Sequence, residues 1–129
     1  MIYGDINYLK TLNDTVGHEA GDQLILTVAE SIRNVCNEAD SAYRIGGDEF
    51  IMIMRGADEK VVAKKIREWK QILKALKGNS EYEISVSVGY AYGEGKDLDA
   101  IIHEADQRMY ENKRLIHEEK DKAMSQDVL

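Results

Sequence analysis

Three acidic residues stand out for their placement. Asp5 lies toward the end of the leading "MIYGDIN", and the adjacent pair Asp48 and Glu49 lies inside "RIGGDEF", residues 44 to 50. Neighbouring carboxylates repel each other, and a tight turn has no use for that repulsion unless a cation relieves it. Asp-Gly or Asn-Gly would be the ordinary choice for such a turn, whereas here Gly46 and Gly47 precede the acids. Glycines permit φ > 0 and let a ligand's phosphates or sugar come close to bare backbone. Asp5, with the carbonyl of Ile6 beside it, offers two hard oxygen donors at a strand end, the kind of site that Mg²⁺ shares with substrate phosphate and water. If the strands flanking Gly46 and Gly47 lie beside the first strand, Asp48 approaches Asp5. The competing reading is that Asp5 and Asn7 only cap the next helix and that the hairpin is only a turn.

A second constellation is "NDTVGHEAGD", residues 13 to 22. Asn13 and Asp22 bracket a corner marked by Gly17 and Gly21. A carboxylate and a side-chain amide facing one pocket can read guanine, the carboxylate accepting from N1–H and N2–H. An N-cap followed by a helix-breaking turn explains the same residues. Lys10, Lys113 and Arg114 are basic residues within reach of an anion, though each alone reads as a solvated surface charge. His18, His103 and His117 have no metal-ligand spacing, so no zinc site is assigned. The phosphate-binding P-loop and the dinucleotide-binding glycine pattern are both absent.

These residues need elements to hold them. "MIYGDIN" reads as a short strand, "YLKTLNDTVG" as a helix closed by Gly17, and Leu24, Val28, Ile32 and Val35 as a helical stripe. "SAYRI" and "EFIMIM" form a hairpin. Val62, Ile66, Trp69, Leu73 and Leu76 share a helical face, with Asp58 as N-cap. "YEISVSVGYAY" alternates as a half-buried strand, and a long final helix turns Leu98, Ile101, Ala105 and Met109 inward before a charged, frayed stretch over 115–129. The order predicts an α+β sandwich, a central mixed or antiparallel sheet flanked by helices.

Composition bounds the rest. The 129 residues suit one domain, and 43% hydrophobic with 32% charged content describes an ordinary globular chain. A net charge of −7 argues against a nucleic-acid surface but not against a nucleotide held through divalent metal. No apolar run approaches the roughly 20 residues that cross a bilayer. The lone Cys36 excludes an intramolecular disulfide and reads as a buried, inert thiol in a reducing cytoplasm.

"GDINYLKTLNDTVGHEAGD", "YRIGGDEF", "ISVSVGYA" and "EADQRMYENK" appear in an order and spacing similar to the GGDEF domain of diguanylate cyclases. The resemblance spans Ile2 to about Lys113. It implies a fold like that of nucleotide cyclases and polymerase palms, and condensation of two GTP into cyclic di-GMP and two pyrophosphates. It implies that Asp5, the Ile6 carbonyl and Asp48 hold two Mg²⁺ (or Mn²⁺) per GTP. Asn13 and Asp22, with His18 in the same motif, would recognise guanine, and Lys10 and Lys113 would meet the β- and γ-phosphates. Glu49, or Asp48 through its metal, would assist deprotonation of the ribose 3′-hydroxyl. One domain holds one GTP, so a homodimer is expected for turnover, with no nucleic-acid partner.

The departures are as specific. "NEAD", Asn37 to Asp40, stands where the family usually has Arg-x-x-Asp, which implies little product inhibition there. "KRLIHE" replaces the usual Gly-Arg-Asn segment, leaving Arg114 to substitute or the contact to be lost. The usual N-terminal helix is missing, so a single domain over 1–129, a fragment of a longer signalling protein, is expected. The alternative is a weak or inactive regulatory domain that binds GTP or cyclic di-GMP.

Overall fold

The strand Ile2–Ile6 (β1) is buried at all five positions, and its place in the sheet explains why. In the computed structural model, which describes residues 1–77, 84–93 and 97–127, β1 has a strand on each side and helices over each face. The elements follow as α1 (Leu9–Thr15), α2 (His18–Val35), β2 (Asp40–Arg44), β3 (Glu49–Met54), α3 (Glu59–Lys77), β4 (Val86–Tyr90) and α4 (Leu98–Asp127). The strands hydrogen-bond in the order β2-β3-β1-β4, and each pairing is antiparallel. The expected α+β sandwich is therefore present, with an antiparallel rather than a mixed sheet.

Side chains alternate across a strand, and here each side meets a different layer. Ile2, Ile6, Phe50 and Met52 pack against Leu9 of α1, Leu24, Val28, Ile32 and Val35 of α2, and Val62, Trp69 and Leu73 of α3. Both predicted helical stripes are thus the core-facing ones. Trp69 is fully buried, and its indole N–H donates to Ser31 Oγ at 2.8 Å. On the opposite face Tyr3 and Ile51 meet Ala105 and Met109 of α4.

That second layer corrects the picture of β4. Val86, Val88 and Tyr90 are half-buried, while Ser87 and Gly89 of the other face are buried outright. Small residues are there because α4 comes close: a Cβ on Gly89 would stand 2.1 Å from the Met109 backbone nitrogen. Asn112 adds a clamp, its Oδ1 accepting the Val88 N–H at 2.9 Å. Residues 82–83 of the expected strand lie outside the described residues.

Helix starts follow local chemistry in one case and not in another. Asp58 caps α3 as expected, its Oδ1 accepting the Val61 N–H at 2.9 Å. Asn7 does not cap α1. Tyr8 occupies that position with φ 63, and the Asn7 amide instead donates to Ser85 Oγ and accepts from Ser87 Oγ, tying β1 to β4. Leu98 is not inward either. It is 54% exposed at the first turn of α4, ahead of the part that packs. Cys36 is half-buried rather than buried, and burial pushes its thiol up. Among the described residues, no helix is long and apolar enough to cross a membrane.

Candidate active site

The β1–β3 ladder sets Asp5 opposite Glu49. One step further the Ile6 N–H donates to the Asp48 carbonyl at 2.8 Å, and across the hairpin the Ile45 N–H donates to the Glu49 carbonyl at 3.0 Å. These backbone bonds place the three acids at one end of the sheet. Asp5, Asp48 and Glu49 each present a carboxylate oxygen, and the three oxygens lie within 4.8 Å of one another. Asp5 is 4% exposed, while Asp48 and Glu49 are half-buried.

Charge balance at this point comes from α4. Lys113 Nζ donates to Asp5 Oδ2 at 2.9 Å, whereas among the described residues no donor reaches the buried Oδ1. Burial raises the Asp5 carboxyl from its ordinary 3.8 to about 6, against the pull of Lys113 and with help from the Asp48 charge. For Lys113 burial works downward, but Asp5, Asp48 and Glu49 together hold the ammonium above its ordinary range. The two partners respond differently because the acid is far more deeply buried than the amine, 6% against 31% side-chain exposure. An acid cluster whose most buried oxygen has no donor fits a hard divalent cation, which takes carboxylate oxygens and carbonyls. Ile6, the other expected donor, is the last residue of β1, beside Asp5.

Glu49 is oriented by a phenol on β1. Tyr3 Oη donates to its Oε2 at 2.9 Å, and burial, then this bond, pushes the phenol above its ordinary value. The hairpin itself is held by Arg44, whose Nε and Nη2 donate to the carbonyls of Gly46 and Gly47 at 3.1 and 2.9 Å. Both glycines keep negative φ, in contrast to Gly17 and Gly56. A left-handed turn is therefore not what they provide. Among the described residues, a Cβ on Gly47 would meet nothing within 4 Å, and one on Gly46 would meet only Glu49, at 3.4 Å at the nearest. Their contribution is open space over bare backbone.

Asn13 projects from α1 onto α2. Its Oδ1 lies where a Cβ of Gly21 would be, 1.7 Å from that position, so only glycine admits the amide there. Asp22, His18 and Lys10 are exposed on α2 and α1. The acids and Lys113 are thus brought together, Asn13 is seated against Gly21, the residue before Asp22, and Lys10 and His18 stand outside the acid cluster.

Arg114, the expected substitute for the missing arginine, is engaged along its own helix. It turns outward to Glu111 and Glu118 and is half-exposed. The α4 face toward the β1–α1 turn carries His117, stacked on Tyr8 at 4.8 Å between ring centroids, and Lys120, whose Nζ is 3.7 Å from the Tyr8 ring centre. Asp40 of "NEAD" is also engaged. Its carboxylate accepts from Lys65 Nζ and from the Asn37 N–H, each at 2.9 Å, and Lys65 reaches the Val35 carbonyl as well. Sequence reasoning had not singled out Tyr3, Arg44, Asn112 or Lys65. Only Arg44, adjoining the glycine turn with a side chain long enough to fold back, carried a readable signal.

Residues 1–118 match the family model described as diguanylate cyclase, GGDEF domain. The chain is a GGDEF domain. It is 32% identical over 116 residues to diguanylate cyclase A of Treponema denticola, covering 85% of this chain and 31% of that protein. To diguanylate cyclase TpbB of Pseudomonas aeruginosa it is 35% identical over 120 residues, covering 88% and 28%. This GGDEF domain thus spans less than a third of the length of these curated relatives. Among solved structures it is similar to the GGDEF domain of DgcB from Caulobacter crescentus in complex with c-di-GMP. The TM-score is 0.79 at 33% identity, over 88% of this chain and 70% of that one.

Proposed function

We propose that this GGDEF domain is a diguanylate cyclase module, condensing two GTP into cyclic di-GMP with release of two pyrophosphates. The observation that carries the reading is the acid cluster: three carboxylate oxygens within 4.8 Å of one another, and a buried Asp5 Oδ1 with no donor among the described residues. In this reading Asp5, the Ile6 carbonyl and Asp48 hold two Mg²⁺ or Mn²⁺. Bound there, the ions supply charge stabilisation for the triphosphate and for the attacking and leaving oxygens.

The chain's own residues do the rest. Asn13 and Asp22 recognise guanine, with His18 at the rim. Lys10 and Lys113 meet the β- and γ-phosphates, and the bare backbone at Gly46 and Gly47 leaves their approach open. The 3′-hydroxyl oxygen of one GTP bonds to the α-phosphorus of the other, and the bond from that phosphorus to the β-bridging oxygen breaks. Glu49 accepts the hydroxyl proton. Tyr3 holds its Oε2, which leaves Oε1 for that task. One domain presents one nucleotide, so two domains face each other for two mutual attacks, in the cytoplasm where GTP is abundant. The names of the relatives support this assignment.

A regulatory domain that binds GTP or cyclic di-GMP without turnover is the second reading. It is favoured by Arg114, which is tied to Glu111 and Glu118. The deciding test is incubation with GTP and Mg²⁺, followed by chromatography for cyclic di-GMP and pyrophosphate, with Asp48→Ala as control. Product from the natural chain alone supports the cyclase, with activity per molecule rising as protein concentration rises. Nucleotide binding with no product leaves the regulatory reading.

A further inference from the structure

Lys113 is the sole cation ion-paired with the acid cluster among the described residues, its Nζ 2.9 Å from Asp5 Oδ2. The same residue, in the cyclase reading, meets the nucleotide's phosphates. An ammonium on one oxygen of a carboxylate and a divalent ion on the other are like charges on neighbouring atoms, and their repulsion is strong away from bulk water. Both cannot keep their best position.

We propose that Lys113 competes with the divalent cation for the Asp5 carboxylate, and that its displacement by the cation delivers it to the nucleotide phosphates. Metal and nucleotide then bind as a coupled pair, each favouring the other. The proposal rests on the cyclase reading for the identity of the nucleotide, and not for the competition itself.

The surroundings suit an exchange of the side chain without movement of the helix. The α4 backbone is fixed where Lys113 leaves it: Asn112 accepts the Val88 N–H, and the turn before it packs on Gly89 with no room to spare. The lysine stem is long, flexible and 31% exposed. Asp48 and Glu49 also draw the ammonium, so a divalent ion settling on Asp5 and Asp48 removes most of what keeps it there. On the hairpin side the space over Gly47 is open. A phosphate arriving with the ion offers the released ammonium new partners. Arginine in this place would hold Asp5 with a fixed fork, whereas lysine is a point charge on a mobile arm.

The test uses the full chain with Mn²⁺ alone, followed by paramagnetic resonance of the free ion, and then with a non-hydrolysable α,β-methylene analogue of GTP at saturating Mn²⁺. Lys113→Met keeps the stem and removes the charge, and Lys113→Gln is the second variant, with thermal melts to show that each folds. The expected result is Mn²⁺ binding at least fivefold tighter in both variants than in the natural chain, with analogue binding at least tenfold weaker. Unchanged or weaker Mn²⁺ binding in the folded variants overturns the competition, as does unchanged analogue binding for the delivery step. If the natural chain fails to bind the analogue, the cyclase reading falls, while the Mn²⁺ comparison still decides the competition on its own. An absence of Mn²⁺ binding in all three proteins counts against the competition.

Discussion

Tyr3 Oη reaches diagonally across the β1–β3 ladder to Glu49 Oε2, 2.9 Å away, while Tyr3 itself is paired with Ile51 and Glu49 with Asp5. A phenol on the central strand therefore sets the angle of the acid assigned to proton transfer. Tyr3→Phe keeps the ring in the α4-facing core and removes only the donor. It is expected to lower stability by about 1 kcal/mol, the net worth of one such hydrogen bond. Turnover should fall roughly tenfold from lost orientation, with the Michaelis constant for GTP within twofold. Steady-state kinetics and a urea melt measure both. A Michaelis constant that rises while turnover holds would place Glu49 in binding rather than in proton transfer.

Gly21→Ala separates folding from nucleotide recognition. A methyl there would stand 1.7 Å from Asn13 Oδ1, so the amide must swing away. Alanine is favoured over glycine inside a helix by up to about 1 kcal/mol, which offsets the disturbance in α2. The melting temperature is expected to stay close to that of the natural chain. GTP affinity should fall about tenfold or more as a buried polar contact to the base is lost. Equal affinity by calorimetry would remove Asn13 from guanine recognition.

Product feedback through the "NEAD" stretch is expected to be absent. Asp40 is occupied from within: burial works against its charge, yet the Asn37 N–H and the Lys65 ammonium hold its carboxyl below the ordinary range. Initial rates at fixed GTP should be insensitive to added cyclic di-GMP beyond simple competition with substrate. Asp40→Ala should instead appear as instability, on the order of 3 kcal/mol, because the buried Lys65 loses its counter-charge and keeps only the Val35 carbonyl. Tight product binding that disappears with Asp40 would overturn this.

How far the sequence carried can be judged from particular residues. The stripe Leu24, Val28, Ile32 and Val35 and the run through Trp69 were legible because a core-facing helix has a fixed period. Asp5 and Asp48 were legible together because a hairpin and one strand end leave few ways to arrange them. Asn7 was not, since a residue suited to capping is equally suited to bridging two serines, and only the β1–β4 pairing decides. Gly46 and Gly47 were read both for conformational freedom and for close approach of a ligand, and their negative φ and open surroundings leave the second as what matters. Arg114 and His117 are three residues apart on α4, and nothing local says which faces Tyr8. The packing of Gly89 and Asn112 fixes that rotation.

The raised Asp5 carboxyl gives stability a definite pH dependence. Its folded value of about 6 lies above the unfolded 3.8, so the folded state binds the extra proton between those values. Stability from this group is greatest below the unfolded value and declines as pH rises toward and through 6. At 1.36 kcal/mol per unit the full loss is about 3 kcal/mol. Asp5→Asn abolishes it. Denaturant melts should show the variant near the natural chain at pH 4 and more stable at pH 7, while cyclase activity is lost throughout. A gap that fails to widen with pH would mean that Lys113 neutralises Asp5 more fully than its burial allows.

Two glycine substitutions with opposite expectations test whether α4 and the hairpin have separate tasks. A Cβ on Gly89 would lie 2.1 Å from the Met109 nitrogen, 2.3 Å from the Ala105 carbonyl oxygen and 2.7 Å from the Arg108 carbonyl carbon. All three are backbone atoms of a helix and cannot rotate aside, so α4 must lift from β4. Overpacking of this kind costs about 3 kcal/mol. Lys113 lies one turn beyond Met109, so lifting α4 also draws the ammonium from Asp5. Gly89→Ala should therefore lower the melting temperature and weaken nucleotide binding together. Gly47→Ala adds a methyl that meets nothing within 4 Å, so its melting temperature should not change. Any loss of turnover in that variant then comes from crowding the approach of the triphosphate. If Gly47→Ala turns over GTP at the natural rate, the open space above the hairpin does not admit the substrate, and the phosphates must approach the acids from the α1 side.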